Sequence, residues 1–449
     1  MKCLILAAGK GSRLKEVGEP KPLVRLLGLT LIERVILTVK RCGIEEFYVV
    51  LGYRGDEVKR FLSDFSKKQN VKIHFIFNDE WDKENGVSVL KAKDVLNNDK
   101  FLLCMCDHIF SDSVAKKALE SNIDNGQVAL CVDFRTKNPF IPNPEEATKV
   151  LVEDGKIKDI GKNIPFYNAY DTGVFVCSPV IFKAIEESIE NHNDTTLSGA
   201  IKVLADKGMV LAVDAGDNAF WMDIDDYNAY KKAEAFLIEN LTKKDTDGPV
   251  SKYINRPLSI KITKYLLDTQ LSPNKISFFS FLISLAASFF FFLGKYAYLL
   301  LGGILAQASS IIDGCDGEIA RLKLQSSKFG AWFDAVLDRY SDAFLLFGLT
   351  MYAYNPAKSF IILFTGFMAI IGSFVNSYMA DKYDQFMLKE LINSRSKPMR
   401  IGRDIRVIII FLGAILNQAF AALLFIALLM NIENIRRIML LYEYQEKRA

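Results

Sequence analysis

The sequence predicts two domains of different class, an α/β domain over residues 1–240 and an all-α domain of six membrane-spanning helices over residues 271–449. Three observations carry this. Strand-like and helix-like pieces alternate through the first half, which argues for three layers around a mostly parallel sheet. Long apolar runs begin at Ile276. Lys and Arg cluster in alternate loops between those runs. Hydrophobic residues make up 50% of the 449, which excludes a disordered chain, a collagen-like fibre and a disulfide mini-protein. A formal net charge of +3 gives no support to nucleic-acid binding.

The elements follow in order. Lys2–Ala7 reads as a buried strand rather than a signal peptide, because its apolar run is short and a Gly/Lys/Ser/Arg loop follows. Leu31–Arg41 has helical spacing, Glu46–Leu51 is a strand and Glu57–Lys67 a helix. Val71–Phe77, Lys100–Met105 and Val128–Asp133 continue the strands, and Lys149–Glu153, Lys156–Ile160 and Thr172–Cys177 read as shorter ones. Ser178–Asn191 and Tyr227–Glu239 read as helices. The seven cysteines form no C-x-x-C pair, so reduced, mostly buried thiols are expected.

Residues 241–252 are polar, carry Gly248-Pro249 and read as a linker. Residues 253–270 read as an amphipathic helix in the membrane interface: Ile254, Leu258, Ile262, Leu266 and Leu267 share one face, away from Arg256, Lys261 and Lys264. Six spans follow, near Ile276–Leu293, Ala297–Ile312, Trp332–Tyr352, Ser359–Ser377, Val407–Leu416 and Ala419–Leu429. With the front domain inside, the outer loops hold only Lys295 and Lys358, while the inner ones hold many Lys and Arg. That places both termini and the front domain in the cytosol.

The sharpest chemistry lies at Asp313, Asp316, Gly317 and Arg321, followed by Gly330, Asp334 and Asp338. Asp313 and Asp316 are i,i+3; Gly330, Asp334 and Asp338 are i,i+4,i+8. Two helices thus bring four carboxylates together at a membrane boundary, where unpaired charge is costly and marks function. Hard divalent cations, Mg²⁺ or Mn²⁺, would resolve their repulsion and could hold a pyrophosphate. A solvated acidic loop explains neither the spacing nor the placement between apolar runs. The pattern D-x-x-D-G-x-x-A-R-x(8)-G-x-x-x-D-x-x-x-D resembles the signature of the CDP-alcohol phosphotransferases at every fixed position, and Pro273-Asn274 is like that family's P-N turn. The resemblance implies a six-helix membrane enzyme, often a homodimer, that moves a phosphoalcohol from a CDP-alcohol to an acceptor hydroxyl and releases CMP. It implies metal ligation by Asp313, Asp316 and Asp334. Asp338 would be the general base and would also touch a metal. Gly317, Arg321 and Gly330 would line the CDP site. Arg400, Arg403 and Arg406 look like the family's late basic patch, suited to an acceptor phosphate, with membrane headgroups as the competing partner.

In the front half, Ala8, Gly9, Lys10, Gly11 and Arg13 form a basic glycine loop after the first strand, and Lys21-Pro22-Leu23 follows. Backbone amides and cations there suit a triphosphate; the loop is not a Walker motif. The arrangement resembles the sugar-phosphate nucleotidyltransferases, which implies an α/β Rossmann-like domain. By that resemblance Arg13 and Lys21 would act on the triphosphate, and Asp107 and Asp223 would hold one Mg²⁺. Asn85, Gly86 and Ser88 would lie near the base, with Asp171 in the polyol pocket. The plain reading of Asp225 is a cap for the helix at Tyr227. The fusion resembles the bifunctional family that makes CDP-inositol from CTP and inositol 1-phosphate, then joins it to a second inositol 1-phosphate. A lipid donor or acceptor is the alternative.

Overall fold

A computed structural model describes residues 1–136, 144–242, 248–391 and 401–446, with the side chains of 381–391, 441 and 443–446 outside the description. The chain divides into two compact units, Met1–Leu237 and Ile238–Ala449.

The first unit is built on a nine-stranded sheet. Four parallel strands, in the order Lys72–Phe77, Glu46–Leu51, Lys2–Ala7 and Phe101–Met105, form one half. Ala169–Cys177 then runs antiparallel to Phe101–Met105 and to Val128–Asp133, which pairs in parallel with Val210–Asp214. Lys156–Gly161 and Lys149–Glu153 close the far edge as a hairpin. The sheet is therefore mixed rather than mostly parallel. The reason is local: Ala169–Cys177 enters beside the central strands without a crossover helix to reverse it. The central strands are buried on both faces, as their unbroken Val/Ile/Leu/Phe runs require. Helix Leu31–Arg41 starts at a capping box, with Thr30 and Glu33 bonding each other's backbone amides. A two-stranded pairing sets Trp221–Asp223 against His108–Phe110, with Asp223 opposite His108. All seven cysteines are free, six of them buried.

The second unit is helical. The segment 241–252 is helical at both described ends, up to Thr242 and again from Pro249. Helix Arg256–Leu266 turns its polar residues Arg256, Ser259 and Thr263 inward and leaves Leu258 and Tyr265 exposed, as are Tyr253 and Ile254 in the turn Ser251–Asn255 just before it. Six helices follow: Pro273–Phe292, Tyr296–Leu322, Lys328–Ala357, Phe360–Leu391, Arg403–Ile415 and Ala419–Glu446. Among the described residues four are long and apolar enough to cross a membrane, within Pro273–Phe292, Tyr296–Leu322, Phe360–Ala380 and Ala419–Leu440. The other two depart for physical reasons. Lys328–Ala357 carries Asp334, Asp338, Arg339 and Asp342, and Arg403–Ile415 has only 13 residues, about 20 Å.

The packing is inside-out relative to a soluble bundle. On the first of the six helices Ser277, Ser280, Ser284 and Ser288 are buried, while Phe278, Phe279, Leu282 and Phe289 face outward. Small residues allow close helix approach: a Cβ on Gly302 would lie 2.6 Å from the Phe291 ring, and one on Gly348 would lie 2.6 Å from Ser288 Oγ.

Candidate active sites

In the first unit a cleft of about 450 Å³ opens beside the C-terminal ends of the strands Lys2–Ala7 and Phe101–Met105, where ligands of α/β sheets bind. Of the expected residues, Ala8, Gly9, Gly11, Lys21, Asn85, Ser88, Asp107, Asp171 and Asp223 line it. Lys10, Arg13 and Gly86 do not. Lys10 Nζ sits 5.4 Å over the Tyr53 ring, and Gly86 packs on the backbone of Thr195 and Thr196. Arg13 pairs with Glu146 and, at 2.9 Å, with Asp225. Asn85 and Ser88 also hold local structure: Asn85 accepts from the Leu197 amide at 2.9 Å and Ser88 from the Asn78 side chain at 3.0 Å.

Lys21 is the hub. It is 6% exposed and donates to Asp107 and Asp225, both at 2.6 Å. Gly11 makes room for it: its φ is +64°, and a Cβ there would fall 2.5 Å from the Lys21 chain. Asp225 is therefore an ion-pair partner and not the helix cap; Asp226 takes that part, accepting from the Ala229 amide at 2.7 Å. His108 completes the cluster, 3.0 Å from Asp107 and 3.8 Å from Asp223. Sequence spacing hid His108 and Asp225, because only the hairpin-like register brings 107–110 against 221–225. That register is braced from below by Trp221, which donates to buried Asp133 at 2.8 Å, itself gripped by Arg135.

The electrostatics are strongly coupled. Burial opposes the charge on Lys21, yet Asp107, Asp225 and Asp223 raise its pKa well above the usual value. Burial likewise resists ionisation of Asp107, but Lys21 and His108 hold its carboxyl far below the carboxylate range. Burial, with Asp107 and Asp225 nearby, pushes Asp223 up to about 7, and one of its oxygens is buried without a hydrogen-bond partner. His108 keeps its proton despite burial, because Asp223 and Asp107 raise it to about 10. Burial raises Asp171 to about 6. A proton and a divalent cation thus compete for the Asp107–Asp223 pair. The oxygen donors and the orphaned Asp223 oxygen fit a hard cation.

In the second unit the carboxylates of Asp313, Asp316 and Asp334 lie within 4.8 Å of one another, from two different helices. The buried serine stripe orients them: Ser277 donates to Asp316, and Ser280 to Asp313 at 2.9 Å. One Asp334 oxygen is buried with no partner. Three hard carboxylates with an unfilled acceptor fit a divalent cation. Asp338 stands apart from this trio. Arg403 lies between the groups, 2.8 Å from Asp313 and 2.5 Å from Asp338. Arg406 is buried and pairs at 2.5 Å with Asp342, which was not among the expected residues although it continues the i+4 stripe of Asp334 and Asp338. A pocket of about 420 Å³ is lined by Asp313, Asp338, Asp342, Arg403, Arg406 and Arg437. Gly317, Arg321, Gly330 and Asp334 are outside its wall. A Cβ on Gly317 would lie 3.3 Å from the Arg321 guanidinium, and one on Gly330 would lie 3.2 Å from Asn274, so the P-N turn meets the third of the six helices here. Arg400 lies outside the described residues.

Comparison with known proteins agrees with this division. Residues 3–165 match the family model of the MobA-like NTP transferase domain, and residues 270–435 match that of CDP-alcohol phosphatidyltransferase. The chain is 36% identical over 438 residues to a bifunctional IPC transferase and DIPP synthase of Rubrobacter xylanophilus, covering 97% of this chain and 95% of that one. It is 34% identical over 450 residues to the protein of the same name from Aquifex aeolicus, covering 98% of each. The chain is also 31% identical over 186 residues to an archaetidylinositol phosphate synthase of Pyrococcus horikoshii, covering 41% of this chain and 90% of that one. Matched along nearly its whole length, with a carboxylate cluster in each half, the chain belongs to the family of bifunctional IPC transferases and DIPP synthases.

Proposed function

We propose that the first unit makes CDP-inositol from CTP and inositol 1-phosphate, releasing pyrophosphate. The second unit then transfers the phosphoinositol group to a second inositol 1-phosphate and releases CMP. The observation that carries the reading is that both halves of a chain matched end to end by bifunctional relatives hold their own carboxylate cluster with a cation against it.

In the first reaction a phosphate oxygen of inositol 1-phosphate attacks the α-phosphorus of CTP and the bond to pyrophosphate breaks. Lys21, Arg13 and the amides of residues 8–11 neutralise and orient the triphosphate. Asn85 and Ser88 flank the base, with Gly86 packing their turn onto Thr195 and Thr196, and Asp171 holds a polyol hydroxyl. In the second, Asp338 accepts the proton of the acceptor hydroxyl, whose oxygen attacks the inositol-bearing phosphorus of CDP-inositol, and CMP leaves. Gly317, Arg321 and Gly330 lie on the CDP side. Arg403 and Arg406 lie on the acceptor side, with guanidinium nitrogens that have no hydrogen-bond partner among the described residues. Mg²⁺ or Mn²⁺, held by Asp107 and Asp223 in one site and by Asp313, Asp316 and Asp334 in the other, would supply charge neutralisation at the transferring phosphates and leaving groups. The reading includes six spans, a homodimer in contact with membrane lipids, and both termini and both sites on the cytoplasmic side. The Lys and Arg distribution supports that orientation.

The match to an archaetidylinositol phosphate synthase favours a second reading, with a lipid donor or acceptor. Phosphorus NMR of the purified full chain with CTP, Mg²⁺ and inositol 1-phosphate separates the two. Without lipid, CDP-inositol, then a phosphodiester and CMP are expected; CMP that appears only when a lipid is supplied refutes the soluble product.

A further inference from the structure

Glu318 has no part in the chemistry above, yet it is the most deeply buried carboxylate near it, with no exposure at all. It lies two residues beyond Asp316 on the helix that also carries Asp313. Two residues are about 200° of helical turn, so Glu318 points away from the metal-facing side. All its described partners come from one short helix. Arg256 Nη1 donates to it at 2.9 Å, Thr263 Oγ1 at 2.7 Å, and Ser259 donates to the same carboxylate. Arg256 Nη1 also reaches the Gly314 carbonyl at 3.3 Å, and the Cys315 thiol faces the Ser259 carbonyl at 3.5 Å. Residues 256, 259 and 263 share one face of their helix by spacing. That polar face is turned inward while Leu258 and Tyr265 stay outside.

The segment held this way is intrinsically weak. It contains Gly314 and Gly317, each a poor helix former by about 1 kcal/mol against Ala. Its two aspartates face a third, Asp334, and like charges at this distance repel. Something must fix the rotation of the segment about its axis. The serines of the first of the six helices act on the metal side, and on the opposite side the structure places Glu318.

We infer that Glu318, with Arg256, Ser259 and Thr263, is a positioning group that sets the rotation of residues 313–318 and so the spacing at which Asp313, Asp316 and Asp334 receive a divalent cation. The inference rests on the reading of those three carboxylates as metal ligands. It makes the helix that precedes the membrane bundle a working part of the membrane site.

The test is manganese binding, followed by electron paramagnetic resonance without turnover, in full-length chains that also carry Asp107→Asn so that the soluble cluster does not contribute. Glu318→Gln keeps the size and removes the charge. It is expected to weaken manganese binding by about tenfold, in the range seen for outer partners of metal ligands. Thr263→Val removes one donor and no charge, and is expected to weaken binding about threefold in the same direction, the worth of a single modest hydrogen bond. Activity should show the matching split: a higher metal requirement for CMP release from supplied CDP-inositol. Variants that lose thermal stability but bind manganese like the parent would reduce Glu318 to a fold residue and overturn the proposal. If Glu318→Gln is not recovered folded, Thr263→Val decides alone by the same criterion. A parent chain that binds no manganese at the membrane carboxylates removes the metal reading itself, an outcome distinct from equal binding by parent and variant.

Discussion

Replacing Lys21 by Met tests how the soluble site is held. The side chain is 6% exposed and bridges Asp107 and Asp225 at 2.6 Å each. Met keeps the length of the chain and its apolar stem, so packing under Gly11 is preserved while the charge goes. Breaking a buried ion pair from one side costs about 3–5 kcal/mol, because the remaining carboxylates stay buried without compensation. The Asp225 side chain is 34% exposed, so solvent screens part of the loss, and about 3 kcal/mol is the figure to expect. If that much is lost in the transition state, pyrophosphate release falls roughly 100-fold. The assay is pyrophosphate release from CTP and inositol 1-phosphate at saturating Mg²⁺, with CMP release from supplied CDP-inositol as the internal control. The control should be unchanged, because its carboxylates belong to the other unit. A Lys21→Met rate within about threefold of the parent would show that Lys21 neither holds the carboxylates nor serves the triphosphate.

Four further outcomes are expected. Asp338→Asn stops CMP release and spares pyrophosphate release, while Asp107→Asn does the reverse when CDP-inositol is supplied; loss of both activities in either variant under those conditions contradicts independent sites. Gly11→Ala places a Cβ 2.5 Å from the Lys21 chain at a φ of +64°, so it should lower pyrophosphate release and leave the CMP control intact. Arg406→Ala should raise the acceptor KM and, by stranding buried Asp342, lower the unfolding temperature; a lowered temperature with an unchanged KM assigns Arg406 to the fold. Asp171 carries a pKa of about 6 against an ordinary 3.8, so the folded state binds the extra proton and stability falls as pH rises through that window. The loss is about 1–3 kcal/mol, complete above pH ~6, and Asp171→Asn should flatten it in unfolding scans; an unaltered slope removes Asp171 as its source.

Spacing along the chain determined much of this protein. Unbroken apolar runs marked the strands Lys2–Ala7 and Glu46–Leu51 and the apolar helices, because a segment surrounded by apolar neighbours leaves that fact in its own residues. The i,i+3 spacing put Asp313 and Asp316 on one face of their helix and the i,i+4 spacing put Asp334 and Asp338 on one face of theirs, since a helix fixes which residues share a face; that three of the four cluster while Asp338 stands apart was decided by packing. Sequence order could not reveal partners supplied by distant segments. Asp225 reaches Lys21 across 204 positions, and Arg403 reaches Asp313 across 90. The mixed direction of the sheet, the turn of helix Arg256–Leu266 toward Glu318, and the choice of Asp226 over Asp225 as cap were also decided only in three dimensions. Local rules fix conformation and facing direction. Which faces meet is set by the packing of the whole chain, and charge pairing follows from that meeting.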